Sequence, residues 1–128
     1  MTLAIIPFYA ALLGLMFVAL SLSVIRTRGR YQVTLGGGGI AELERRIRVH
    51  GNFAEYAPLT LLLLTLAELR GSAPATLHAL GICLVCGRLL HAWGVSQIDE
   101  NIRIRVAGII LTLSALGGAS FVLLLGGR

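Results

Sequence analysis

The chain has 128 residues, 56% of them hydrophobic, and a mean hydropathy of +0.85. That length fits one domain, and that apolarity excludes an ordinary soluble globular protein in favour of the membrane class. The net charge of +5 comes entirely from arginine, because lysine is absent. The arginines lie beside apolar spans and not along a solvated stripe, which argues against nucleic acid and for carboxylates or anionic headgroups.

The expected fold is all-α: a single domain forming a four-transmembrane-helix bundle. The first span covers about residues 3–25, long enough to cross the hydrocarbon layer. A signal peptide is the rival reading, but no basic residue precedes the apolar run, which is also long for a signal core. The basic loop that follows holds Arg26, Arg28 and Arg30 and ends in glycines at 36–39. A glycine-rich loop before a helix can cradle phosphate, yet the G-K-[ST] ending of a P-loop is missing, so a flexible turn is expected.

A second helix is expected over residues 40–69, about 45 Å long against a hydrocarbon core of about 30 Å. Its first turns can protrude to headgroup depth while residues 53–67 are immersed. Gly71 and Pro74 mark a tight turn into a third span over 75–95. Cys83 and Cys86 form a C-x-x-C inside that apolar run, where inert buried thiols are expected over redox chemistry, and two cysteines alone give no zinc framework. A polar link at 96–103 leads into the fourth span, about residues 104–125. Ser114 and Gly118 have small-xxx-small spacing there, suited to close helix approach.

Four spans place both termini on one side. Arg26, Arg28, Arg30, Arg45, Arg46, Arg48, Arg88, Arg103 and Arg105 belong to or lie near the other side, against Arg70 and Arg128 on the terminal side. The positive-inside rule then makes the loops at 26–41 and 96–103 cytoplasmic, in what is expected to be a bacterial inner membrane.

Glu44, Arg48, Asn52 and Glu55 are spaced by four, four and three residues, which groups them on one face of the second helix. Glu44 and Arg48 can pair within that helix. Asn52 and Glu55 lie deeper and need partners from another helix or from a ligand. His50 points away, about 200° from Arg48. Arg88 and His91 are three apart on the third span and face one way. Several arginines, an amide, a carboxylate and Tyr56 at one membrane face suit a small zwitterion carrying carboxylates and an amine.

The run Glu44-Arg45-x-x-Arg48-x-His50-x-Asn52-x-x-Glu55-Tyr56-x-Pro58 resembles the signature of the membrane-associated proteins in eicosanoid and glutathione metabolism. Gly87-Arg88-x-x-His91 and Arg105 at the start of the fourth span fit the same family. The resemblance implies a homotrimer with glutathione held between neighbouring subunits near the cytoplasmic face. It implies glutathione contacts at Arg48, Asn52, Glu55, Tyr56 and His91, and thiolate activation by Arg105, chosen over Arg103. One of Arg26, Arg28 and Arg30, with Arg30 taken as the candidate, matches a first-loop arginine that reaches a glutathione carboxylate. The expected activity is transferase or peroxidase chemistry on a lipophilic acceptor from the bilayer. The alternative is a non-catalytic glutathione-binding or scaffolding protein. One departure stands out: Val95 occupies a place where several family enzymes carry a glutathione-facing tyrosine.

Overall fold

The computed structural model describes residues 2–126, so Arg128 lies outside the described residues. Four α-helices follow one another: α1 (Ile6–Tyr31), α2 (Ala41–Leu69), α3 (Pro74–Ser96) and α4 (Ile102–Leu125). Helices α1, α3 and α4 are each long and apolar enough to cross a membrane. Helix α2 differs in composition because Glu42, Glu44, Arg45, Arg46 and Arg48 crowd its first turns.

α1 continues past the expected end of its apolar run and absorbs Arg26, Arg28 and Arg30 into its last turns. It stops at Gln32, whose φ of 54° is left-handed and whose N–H donates to the Arg28 carbonyl. That closure satisfies an end carbonyl that a simple break would leave bare. At its other end, Pro7 suits the first turn, but no local side chain caps α1. Glu68 of α2 does so instead, its carboxylate accepting from the N–H groups of Ala4, Ile5 and Ile6 at 2.8, 2.6 and 2.8 Å. A carboxylate here meets both the orphan donors and the positive end of the helix dipole.

α3 and α4 approach backbone to backbone. A Cβ on Gly108 would stand 2.5 Å from the His91 nitrogen, and one on Gly94 would stand 2.8 Å from that of Arg105. Gly87 is closed in by Thr112 and the Gly108 carbonyl. The small-residue stripe on α4 is therefore Gly108, Thr112, Ala115 and Ala119, all buried. Ser114 of the expected pair is exposed, although Gly118 does pack against Leu80. A spacing of four alone cannot choose among several small residues on one helix.

The apolar core lies farther from the charged end, built from Ile6, Tyr9, Leu13, Phe53, Leu64, Leu77, Leu84 and Ala115, among others. α2 contacts each of the other helices, whereas α1 and α4 make no contact among the described residues. Cys86, expected to be buried, is exposed on the outer side of α3, and Cys83 is half-buried; both are free thiols.

Candidate functional site

Alternating chain direction brings the end of α1, the start of α2, the end of α3 and the start of α4 to one end of the bundle. The arginines converge there because each follows or precedes an apolar stretch on its own helix. Arg70 is at the opposite end, donating to the Leu123 carbonyl at 3.0 Å.

A cleft of about 420 Å³ opens between α2, α3 and α4, lined by Ala41, Glu44, Arg45, Arg48, Val95 and Arg105. Arg105 thus shares a cavity with Arg48. Arg103 instead lines a separate depression formed by the link with Ile98, Asp99, Glu100, Asn101 and Ile102. Two positions along a helix rotate a side chain by about 200°, which sends the two arginines to opposite sides.

The expected single face of α2 divides in two. Steps of four residues drift by about 40°, so Asn52 is rotated by about 80° from Glu44, while the step of three returns Glu55 toward Arg48. Asn52 is accordingly buried, whereas Arg48 and Glu55 face outward with side chains 61% and 54% exposed and stand 3.8 Å apart. The expected Glu44–Arg48 pair is absent among the described ion pairs. The Glu44 side chain occupies the space that Gly37, lacking a Cβ, leaves open. His50 turns away as its angle predicted, its Nε2 lying 3.1 Å from Ser21 Oγ and its ring stacked on Phe17 at 4.7 Å.

Below the cleft, Arg88 of α3 is 2% exposed. Its Nη1 donates to Asn52 Oδ1 at 2.6 Å and its Nε to Thr112 Oγ1 at 3.0 Å. The guanidinium carbon stands 5.7 Å from the centroid of the Tyr56 ring, within cation–π range. Among the described residues Arg88 has no carboxylate partner, so an amide, a hydroxyl and an aromatic face carry a buried charge. Such a charge is costly without full satisfaction. His91, one turn along α3 and also buried, stands against the backbone of Gly108.

The first-loop arginines separate in the same way. Arg30 is exposed and pairs with Glu42 at 3.3 Å, with Tyr31 and Arg46 completing that cluster. Arg28 donates to the Gly36 carbonyl at 2.7 Å and joins Arg48, Glu44, Ile47 and Gly51 around a second cleft of about 300 Å³. Within one chain, Arg28 rather than Arg30 is brought beside Arg48.

One residue of the cleft, Arg45, and one that braces it from the neighbouring depression, Glu100, escaped the sequence reading. Arg45 donates to the Val95 carbonyl and to Glu100 Oε2, each at 3.2 Å. Glu100, in the α3–α4 link, also accepts from Arg105 Nη1 at 2.8 Å. These bonds to Arg105 and Arg45 hold the Glu100 carboxyl below the usual carboxylate range. Arg45 carried a weak signal as part of the α2 motif. Glu100 carried none, because an irregular link has no periodicity from which to project a side chain.

A bundle of long apolar helices with an arginine-rich cleft at one end defines an integral membrane protein whose polar groups gather at one end. The MAPEG family model matches residues 6–125, and the chain belongs to that family. It is similar to the inner membrane protein YecN of Escherichia coli K12, 38% identical over 108 residues, 84% of this chain and 81% of the relative. The YecN of E. coli O6:H1 matches to the same extent.

Proposed function

We propose that the chain is a glutathione-dependent membrane enzyme of transferase or peroxidase type, acting on an apolar electrophile. The observation that carries this reading is the sharing of one cleft by Arg45, Arg48 and Arg105, with Glu55, Asn52 and Tyr56 on the adjoining turns of α2. Glutathione offers two carboxylates, an ammonium and a thiol. Arginines grip the carboxylates in bidentate fashion, Glu55 takes the ammonium, and Arg105 stabilises the thiolate. Cationic surroundings lower a thiol pKa from about 8.5 toward neutrality, raising the nucleophilic fraction. The acceptor enters from the bilayer, where an apolar electrophile concentrates.

In this reading α2 is a fourth crossing, its charged first turns at headgroup depth and its remaining length in lipid. The Arg48–Glu55 pair on its outer side supports a homotrimer, because a neighbouring copy removes that pair from lipid. The arginine-rich end is cytoplasmic by the positive-inside rule, and the inner membrane location follows YecN's name. Val95 supports a second reading, a binding protein without turnover, since its buried apolar side chain offers the ligand no hydroxyl.

Titration calorimetry of glutathione into detergent-purified protein tests the proposal. Millimolar ligand without heat in the wild type rejects it. Arg48→Ala is expected to weaken binding, whereas Arg105→Ala is expected to retain binding and lose turnover. Binding without conjugation or peroxide reduction across a panel of acceptors selects the second reading.

A further inference from the structure

The cleft's arginines are engaged by the chain's own carboxylates. Arg48 stands 3.8 Å from Glu55, while Glu100 spans Arg105 at 2.8 Å and Arg45 at 3.2 Å. The arginines come from α2 and α4, and Glu100 comes from the short irregular segment at 97–101 between α3 and α4. The Glu100 side chain is 18% exposed, more enclosed than either arginine it holds, at 30% and 41%. Glu100 itself lines the neighbouring depression with Arg103, so it reaches Arg45 and Arg105 from behind the cleft, on the side of the link.

We propose that Glu100 is an exchangeable internal counter-ion, holding Arg45 and Arg105 and giving them up to a carboxylate and the thiolate of an incoming ligand. This inference rests on the glutathione reading and adds to it a residue that sets the affinity. An anion entering beside Arg105 meets Glu100 as a like charge and a rival for the same N–H donors. Each arginine has five N–H donors in a planar fork, so it can pass from one carboxylate to another without losing its charge partner. The short link is the part able to move, since its backbone is not locked into a helical ladder. Without Glu100, Arg45 and Arg105 would lose their shared counter-charge; with it, only a ligand able to replace that negative charge gains full access. Asp99 next to it makes no ion pair with either arginine, which provides an internal control.

The test compares glutathione affinity of the detergent-purified wild type, Glu100→Gln and Asp99→Asn by calorimetry. Labelling of individual arginines by phenylglyoxal, followed by peptide mass spectrometry, is measured without ligand. Glu100→Gln is expected to bind glutathione about three- to tenfold more tightly, the scale of one partly exposed ion pair. It is also expected to label faster at Arg45 and Arg105. Asp99→Asn is expected to match the wild type in both measurements. Binding by wild type and Glu100→Gln with no gain on substitution, or with a loss, overturns this inference alone. Unchanged labelling of Arg45 and Arg105 overturns it as well, and an equal gain in Asp99→Asn reduces it to general electrostatics. Absence of binding by every variant removes the glutathione reading and this inference together.

Discussion

Arg88 donates to Asn52 Oδ1 at 2.6 Å, joining α3 to α2 through a buried bond beneath the cleft. Asn52 was expected to meet another helix or a ligand; its carbonyl oxygen meets another helix. In the proposed glutathione site, the amide nitrogen is the part of Asn52 that would face the ligand. Arg88→Met is expected to cost about 2–4 kcal/mol, because Asn52 and Thr112 lose a donor inside the bundle. Thermal unfolding in detergent measures this. The double variant Arg88→Met with Asn52→Leu is expected to regain most of that stability and still fail to bind glutathione.

Gly108 lets α4 lie against the His91 backbone. Gly108→Ala introduces a Cβ with no space, and overpacking of this kind costs about 1–3 kcal/mol. It would also push away the start of α4, which carries Arg105. The expected result is a lower unfolding temperature together with weaker glutathione binding, whereas Gly117→Ala, which meets open space, leaves both nearly unchanged.

Glu68 caps α1 from a distance of more than sixty residues in sequence. Glu68→Ala is expected to destabilise the protein by about 1–2 kcal/mol, in line with loss of a helix cap. Because this contact lies at the opposite end from the cleft, glutathione affinity is expected to stay within about twofold once folded protein is selected. Hydrogen exchange at residues 4–6 reads the local effect.

Arg103→Ala and Arg105→Ala separate the two candidates for thiolate activation. The absorbance of the bound thiolate is expected to fall with the latter and persist with the former, because only Arg105 lines the cleft with Arg48.

The Glu100 carboxyl is held below its ordinary range, first by Arg105 and then by Arg45. A carboxylate depressed in the folded state contributes stability above its unfolded pKa, and that contribution is lost as pH falls through the folded value. Acid unfolding of the wild type is therefore expected to steepen from the ordinary glutamate range downward. Glu100→Gln is expected to lack that increment, which a pH series of melting temperatures measures.

Hydropathy and the placement of arginine were enough to determine an all-helical membrane chain with its charge at one end. Those properties are sums along the chain, and they survive any detail of packing. The motif on α2 pointed to the family by resemblance, while local spacing grouped Glu44, Arg48, Asn52 and Glu55 toward one side of the helix. What a face meets depends on the neighbouring helix. Tertiary structure alone turned Asn52 inward to Arg88, left Arg48 with Glu55 outside, and brought Arg28 instead of Arg30 beside Arg48. It also decided Glu100, whose grip on two helices follows from how a short link closes between α3 and α4. No periodicity in a sequence encodes that closure, because it is set by the glycine-mediated approach of the two helices it joins.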